Sequence, residues 1–327
     1  MAHFSIIKLS HLTPLHIDTG RESYDFSSGS LHSDTLLSAL ASIMALRGEA
    51  LGIESFLQST RVSSAFPFYG EHLFMPVPKG RLNVKVAGED ESLYRKDLKK
   101  VRYMEMPLWQ HLVGGERVSI ERRQLQGEYI LSEATMMPSR ISNNAVNERV
   151  SVPRSDAKDS EPFFFEWKYF DKEAGLFVLT DVEGSSLEGL LSLFELLGQQ
   201  GVGTDKSVGG GKFEVDYGGT VDFKAVENAG SVLLLSLYLP TPEEMETIDL
   251  ENSRYSLLLR GGYMAGSQEE TLRHLRKKSV YMMETGSVLQ TSQPLEGKVT
   301  DLRPEWSSSN MHPVYRSGKL LSLPINI

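Results

Sequence analysis

No cysteine occurs in the chain. Disulfides, thiolate metal sites and cysteine nucleophiles are excluded together, and the plain expectation is an intracellular, cytoplasmic protein. Long apolar runs are also missing, as is a cationic amino-terminal segment leading into an apolar stretch, so neither a membrane span nor a secretory signal is expected. Positive charge is scarce: 34 Lys and Arg stand against 43 Asp and Glu, a net charge of −9. A chain this acidic does not gather phosphates by its overall field, so any nucleic acid has to lie along a restricted basic groove. The eight histidines are scattered, without His-Glu-x-x-His or a paired histidine and aspartate, and Gly-Gly-Asp-Asp is absent. Metalloenzyme and polymerase chemistry are therefore unsupported, and no metal or cofactor is expected.

What the chain has is concentrated between Gly198 and Phe213, where six glycines and two lysines fall among sixteen residues. Before this run, Leu187, Leu190, Leu191, Phe194 and Leu197 recur at helical spacing, with Ser185 and Glu188 placed as a capping box. After it, Lys212 to Tyr217 alternates polar and apolar residues as a half-buried strand does. The order helix, loop, strand is the reverse of a Walker loop, which would also need Gly at Lys206 and Ser or Thr at Phe213. A dinucleotide fingerprint fails because Lys206 stands at the third glycine position. Two readings remain: a long turn, or a bare backbone that lets a sugar-phosphate chain approach, with amide groups free for anions and Lys206 and Lys212 at its ends.

The pattern Gly201-x-Gly203-x-x-x-Ser207-x-Gly209-x-Gly211, with Gly210 between the last two and Lys212-Phe213 following, resembles the signature of the RAMP proteins of CRISPR effector complexes. That resemblance implies a ferredoxin-like βαββαβ module closed by the glycine loop, which lies against guide RNA. Further segments narrow it. Pro14-Leu15-His16, Ser33-Asp34-Thr35 opening a helix, and the turn from Ser63 to Pro78 resemble the amino-terminal part of the fourth subunit of type III-A CRISPR (Csm) complexes. Ser139 to Arg149, with Asn144, Ala145 or Val146, and Arg149 at the matching positions, resembles the segment that introduces a thumb-like β-hairpin in this family, although Asn147 and Glu148 depart from its usual run. Lys277 to Val288 and His312 to Ile325 resemble its carboxyl-terminal part.

The length fits two domains, or one with a large insertion. The expected fold is α+β: two tandem ferredoxin-like, RRM-like RAMP modules, with residues 1–225 forming the first and 226–327 the second. An insertion at about 79–170 in the first module carries the thumb-like hairpin. The spacing predicts a strand over His3–Ser10 with Phe4 and Ile6 inward, a helix over Ser33–Met44 capped by Ser33 or Asp34, a short helix over Pro107–Val113, and strands at Gly175–Asp181, Ser231–Leu239, Tyr255–Arg260 and Ser279–Glu284.

By resemblance, the chain is a non-catalytic RNA-binding subunit that holds the repeat-derived 5′ tag of the crRNA. It would join the large cyclase-bearing, polymerase-like subunit to the repeated backbone RAMP subunit, with no membrane involved. The RNA would meet Arg140, Asn144, Arg149, Gly201, Gly203, Lys206, Ser207, Gly209, Gly210, Gly211 and Lys212. In the second module it would meet Arg260, Lys278, Gly286 and Ser287, where cations stand beside glycine turns. Tyr69, Trp167 and Tyr263 are candidate stacking partners and equally candidates for the core. The competing reading is a guide-RNA-processing RAMP endoribonuclease in which His16, after the first strand, is the general base; otherwise His16 touches RNA without catalysing.

Overall fold

The computed structural model describes residues 2–17, 27, 29–133, 141–152, 160–224, 229–263, 275–304 and 311–326. Its centre is an eight-stranded sheet. One half has the order Glu214–Phe223, Ala2–Ser10, Ala174–Thr180, Phe66–Tyr69, with every neighbouring pair antiparallel. The other half continues through His72–Pro76, Tyr103–Glu105, Tyr129–Ile130 and Leu125–Gln126. Residues between about 79 and 133, expected to form a loose insertion, thus extend the sheet.

Both faces of this sheet are covered, which explains why the first strand shows little polar alternation. Phe4 and Ile6 point into one apolar cluster, as expected, and Ile7 and Leu9 into the opposite one. The second cluster is roofed by the helices Ser33–Leu46 and Gly184–Gln200, through Leu36, Leu37, Leu40, Leu190, Phe194 and Leu197. These are the residues whose three- and four-residue spacing marked the helices. The first cluster is closed by the insertion, whose helix Met106–Val113 buries Trp109 and hydrogen-bonds its Nε1–H to the Pro76 carbonyl at 2.7 Å. Opposite Ile6, Gly218 and Gly219 form a bulge in the edge strand, with Gly219 at φ +80°.

Neither expected cap forms. The helix Ser33–Leu46 has His32 at its N-cap position without a side-chain hydrogen bond, and Ser33 Oγ instead accepts from the Leu237 amide at 2.9 Å. The helix Gly184–Gln200 begins one residue ahead of Ser185, so that serine sits inside the first turn and cannot cap it.

The carboxyl-terminal part has a four-stranded antiparallel sheet ordered Ile248–Arg254, Val288–Thr291, Ser231–Leu234, Ser322–Ile325. Beside it lies a hairpin of Leu257–Arg260 and Val280–Met283. Leu233, Leu235, Leu321, Leu323 and Ile325 join the same apolar cluster as Trp109 and Tyr94 of the insertion. Among the described residues, no helix is long and apolar enough to cross a membrane.

Candidate functional site

Three segments distant in sequence meet at the end of the first strand. The chain leaving that strand, residues 11–17, lies between the glycine loop and a long hairpin formed by Ser142–Ser151 and Glu161–Phe170. Leu15 exchanges backbone hydrogen bonds with Lys168 of the hairpin, both 2.9 Å. On the other side, the Gly211 amide donates to the Pro14 carbonyl at 2.9 Å and the Thr204 amide to that of His16 at 3.2 Å. Thr13 completes the seam, its hydroxyl donating to the Gly209 carbonyl at 2.9 Å and accepting from the Lys212 amide at 2.8 Å.

The glycines serve this internal packing. A Cβ on Gly211 would lie 1.8 Å from the Val202 carbonyl oxygen, one on Gly203 2.3 Å from that of His16, and one on Gly201 2.5 Å from that of Gly210. On Gly210 it would meet the Trp167 ring at 2.6 Å. Gly201, Gly203, Gly209 and Gly211 all have positive φ, and only Gly209 among them faces open space. The loop therefore folds on itself and exposes a short outer turn, on which Lys206, Ser207, Val208 and Lys212 face solvent.

The hairpin is anchored by its inward face. Phe165 and Trp167 are buried there, and the Arg149 guanidinium lies 4.4 Å from the Phe165 ring centre and 5.3 Å from that of Trp167 while pairing with Asp205 of the glycine loop. A cation stacked on two aromatic rings and tied to a carboxylate fixes the angle between hairpin and loop. The outward face carries Val146, Glu148, Val150 and Phe164, all exposed, with Asn144 at its base donating to Glu166 Oε1 at 3.1 Å.

His16 is buried at 2% exposure, its Nδ1 2.7 Å from the Glu166 carbonyl and its ring 4.3 Å from that of Phe165. It packs within the seam. Of the stacking candidates, Trp167 is buried under Gly210, the Tyr69 hydroxyl donates to Glu173, and Tyr263 is half exposed with Arg276 over its ring. Arg140 lies outside the described residues.

The carboxyl-terminal candidates do not join this site. Arg260 turns inward: its Nε donates to Asp34 Oδ2 at 2.8 Å and its Nη2 to Thr35 Oγ1 at 2.8 Å. Arg316 also pairs with Asp34, which is fully buried. Burial alone would raise the Asp34 pKa, but the two guanidiniums outweigh it and hold the carboxyl well below the usual range. This ion cluster, which ties the helix opening at Ser33 to the carboxyl-terminal part, escaped the sequence reading, in which Asp34 was an expected cap. Gly286 and Ser287 are buried, and the Gly286 carbonyl accepts from the Lys79 amide at 2.8 Å. Lys278 is exposed on a separate surface stretch. No group of three or more potential metal ligands occurs among the described residues.

Residues 227–325 match the model of the CRISPR Csm4 C-terminal domain. The CRISPR system Csm4 protein of Thermococcus onnurineus (strain NA1) is 23% identical over 274 residues, 78% of this chain and 83% of that protein. Residues 227–325 thus match the Csm4 C-terminal domain, and the likeness to a Csm4 protein extends over most of the chain. Solved structures agree on the fold. A chain of a Csm3–Csm4 subcomplex from a type III-A CRISPR-Cas interference complex superposes with a TM-score of 0.63 at 18% identity, covering 99% of this chain and 100% of that one. A chain of a Csm1–Csm4 cassette solved with cA4 gives 0.61 at 19% identity, covering 99% and 98%.

Proposed function

We propose that this protein is a non-catalytic RNA-binding subunit of a cytoplasmic type III-A Csm complex. It holds the repeat-derived 5′ tag of the crRNA and bridges the large cyclase-bearing subunit to the repeated backbone subunit. The observation that carries this reading is the seam itself: Arg149, stacked on Phe165 and Trp167 and paired with Asp205, holds the hairpin beside the glycine loop. Lys206, Ser207 and Lys212 stand exposed on the loop, and Phe164, Val146 and Val150 on the hairpin's outer face. Single-stranded RNA asks for this combination, with cations and amides for phosphates and an apolar ridge that displaces a base and sets register.

In this reading the hairpin is the thumb. The strand order of the first half-sheet, with its two helices on one face, supports a ferredoxin-like module there, and the carboxyl-terminal sheet is its tandem partner. The relatives solved as Csm1–Csm4 and Csm3–Csm4 assemblies support the bridging role. His16, buried between Phe165 and the glycine loop, supports a structural part for that histidine in place of a general base.

Anisotropy titrations of a labelled 5′-tag RNA over a salt series test the reading. Each phosphate contact contributes about −0.7 to the slope of log K against log salt for a single strand. The double change Lys206→Ala and Lys212→Ala should flatten the slope by about 1.4 and weaken binding. An unaltered slope and affinity in the folded double variant overturns the assignment of this surface.

A further inference from the structure

A second concave site lies away from the seam, where the amino-terminal part, the insertion and the carboxyl-terminal part meet. The cavity measures about 340 Å³. About half of its lining is apolar, including Phe66, Pro78, Leu82 and Leu98. Polar groups line it too: Ser64 and Thr285, whose hydroxyls are 2.9 Å apart, and His32. His32 is 7% exposed, and its Nδ1 is buried with no hydrogen-bond partner among the described residues. A buried polar atom without a partner is expensive in a folded protein unless something else supplies one. Burial lowers the His32 pKa to about 4, so the ring is neutral near pH 7 and suited to a neutral polar edge.

The same cavity also has a cationic rim. Lys99 and Arg102, both exposed, line it; Arg102 also lies 3.8 Å from Glu128 and over the Tyr103 ring, while Lys79 is committed to Glu284 at 2.8 Å and neutralises that carboxylate. Apolar walls, a neutral hydrogen-bonding cluster and two cations suit a ligand with a flat polar-edged ring and an anionic group. Inorganic phosphate alone would leave the apolar walls unused, and an apolar ligand would leave the Ser64 and Thr285 hydroxyls and the cationic rim unused.

We propose that this cavity binds one nucleotide unit, its base between the apolar walls beside His32, Ser64 and Thr285 and its phosphate at Lys99 and Arg102. For an RNA strand as the source of that nucleotide the inference rests on the RNA-binding reading above; a free mononucleotide would satisfy the same chemistry. The full chain is titrated calorimetrically with 5′-AMP, adenosine and inorganic phosphate. AMP should bind more tightly than either fragment, and both Leu82→Trp, which fills the cavity, and Lys99→Glu, a surface change that leaves the core intact, should weaken AMP at least tenfold. In parallel, RNA carrying 4-thiouridine is photo-cross-linked to the chain. Cross-links in the peptides spanning 76–103 assign the nucleotide to RNA, and AMP binding without them assigns it to a free mononucleotide; either outcome supports the site. No AMP binding by the folded chain, or AMP binding indifferent to both variants, overturns it. The loss of RNA affinity on changing Lys206 and Lys212 is measured separately, so failure of the cavity leaves the seam standing, and the reverse.

Discussion

Asp34 occupies the second position of its helix, where a carboxylate ordinarily offers a modest stabilisation to the helix dipole. Here it has a larger role. Its side chain is fully buried, with Arg260 and Arg316 at 13% and 6% exposure around it, so each charge depends on the others for solvation it no longer receives from water. Replacing Asp34 by Asn leaves two buried guanidiniums facing a neutral amide. Breaking a buried pair from one side costs about 3–5 kcal/mol. Urea denaturation of Asp34→Asn should show a loss of that order. A shift within about 0.5 kcal/mol, the range of ordinary surface substitutions, would return Asp34 to the role of a helix-end charge.

At the scale of elements, the hairpin, the segment after the first strand and the glycine loop form one unit held by backbone bonds and by the Arg149 stack. The glycines are the condition for that closeness, and they are not equivalent. Gly211 has φ +68° and no room for a Cβ beside the Val202 carbonyl, whereas Gly209 has φ +87° and open space. Gly209→Ala should cost about 1–2 kcal/mol, the penalty of a left-handed L-residue, and Gly211→Ala distinctly more, because backbone has to move as well. Thermal denaturation of the two variants checks this: equal melting temperatures would mean that Gly211 is not packed as described. The run of glycines is conspicuous in sequence and its place between helix and strand is readable there. Which glycine faces protein and which faces solvent is not, because that depends on Pro14, His16 and Trp167, residues up to about two hundred positions away.

On the scale of the whole molecule, the three parts of the chain close on His32. Asp34 and Arg260 face it from the ion cluster, Glu284 from the carboxyl-terminal part and Arg102 from the insertion. Burial is the largest influence and lowers the pKa from 6.5 to about 4. In that window the unfolded chain binds the proton and the folded one does not, so the contribution of neutral His32 is complete above pH 6.5 and declines as pH falls towards 4. At about 1.4 kcal/mol per decade of pKa difference the loss reaches about 3 kcal/mol. Urea midpoints of the native chain should therefore drop between pH 7 and pH 4.5, and His32→Asn should flatten part of that drop. Identical pH profiles for the two proteins would show that His32 is not held neutral.

Local patterning by itself determined a good deal. The periodicity of Leu36 to Met44 and of Leu187 to Leu197 established the two helices, the apolar and alternating runs established three neighbouring strands of the central sheet, and the ordered motifs pointed to the family whose carboxyl-terminal model residues 227–325 match, because each depends on neighbours a few residues apart. Only the tertiary structure decided what those residues touch. It turned Arg260 from a surface cation into a partner of Asp34 and placed His16 and four of the loop glycines in protein packing. It also made the expected loose insertion part of the main sheet and left an orphaned imidazole nitrogen beside a cavity. The reason is physical: burial and charge pairing are set by segments that meet in space, and nothing in the spacing along the chain encodes which distant guanidinium will come to a given carboxylate.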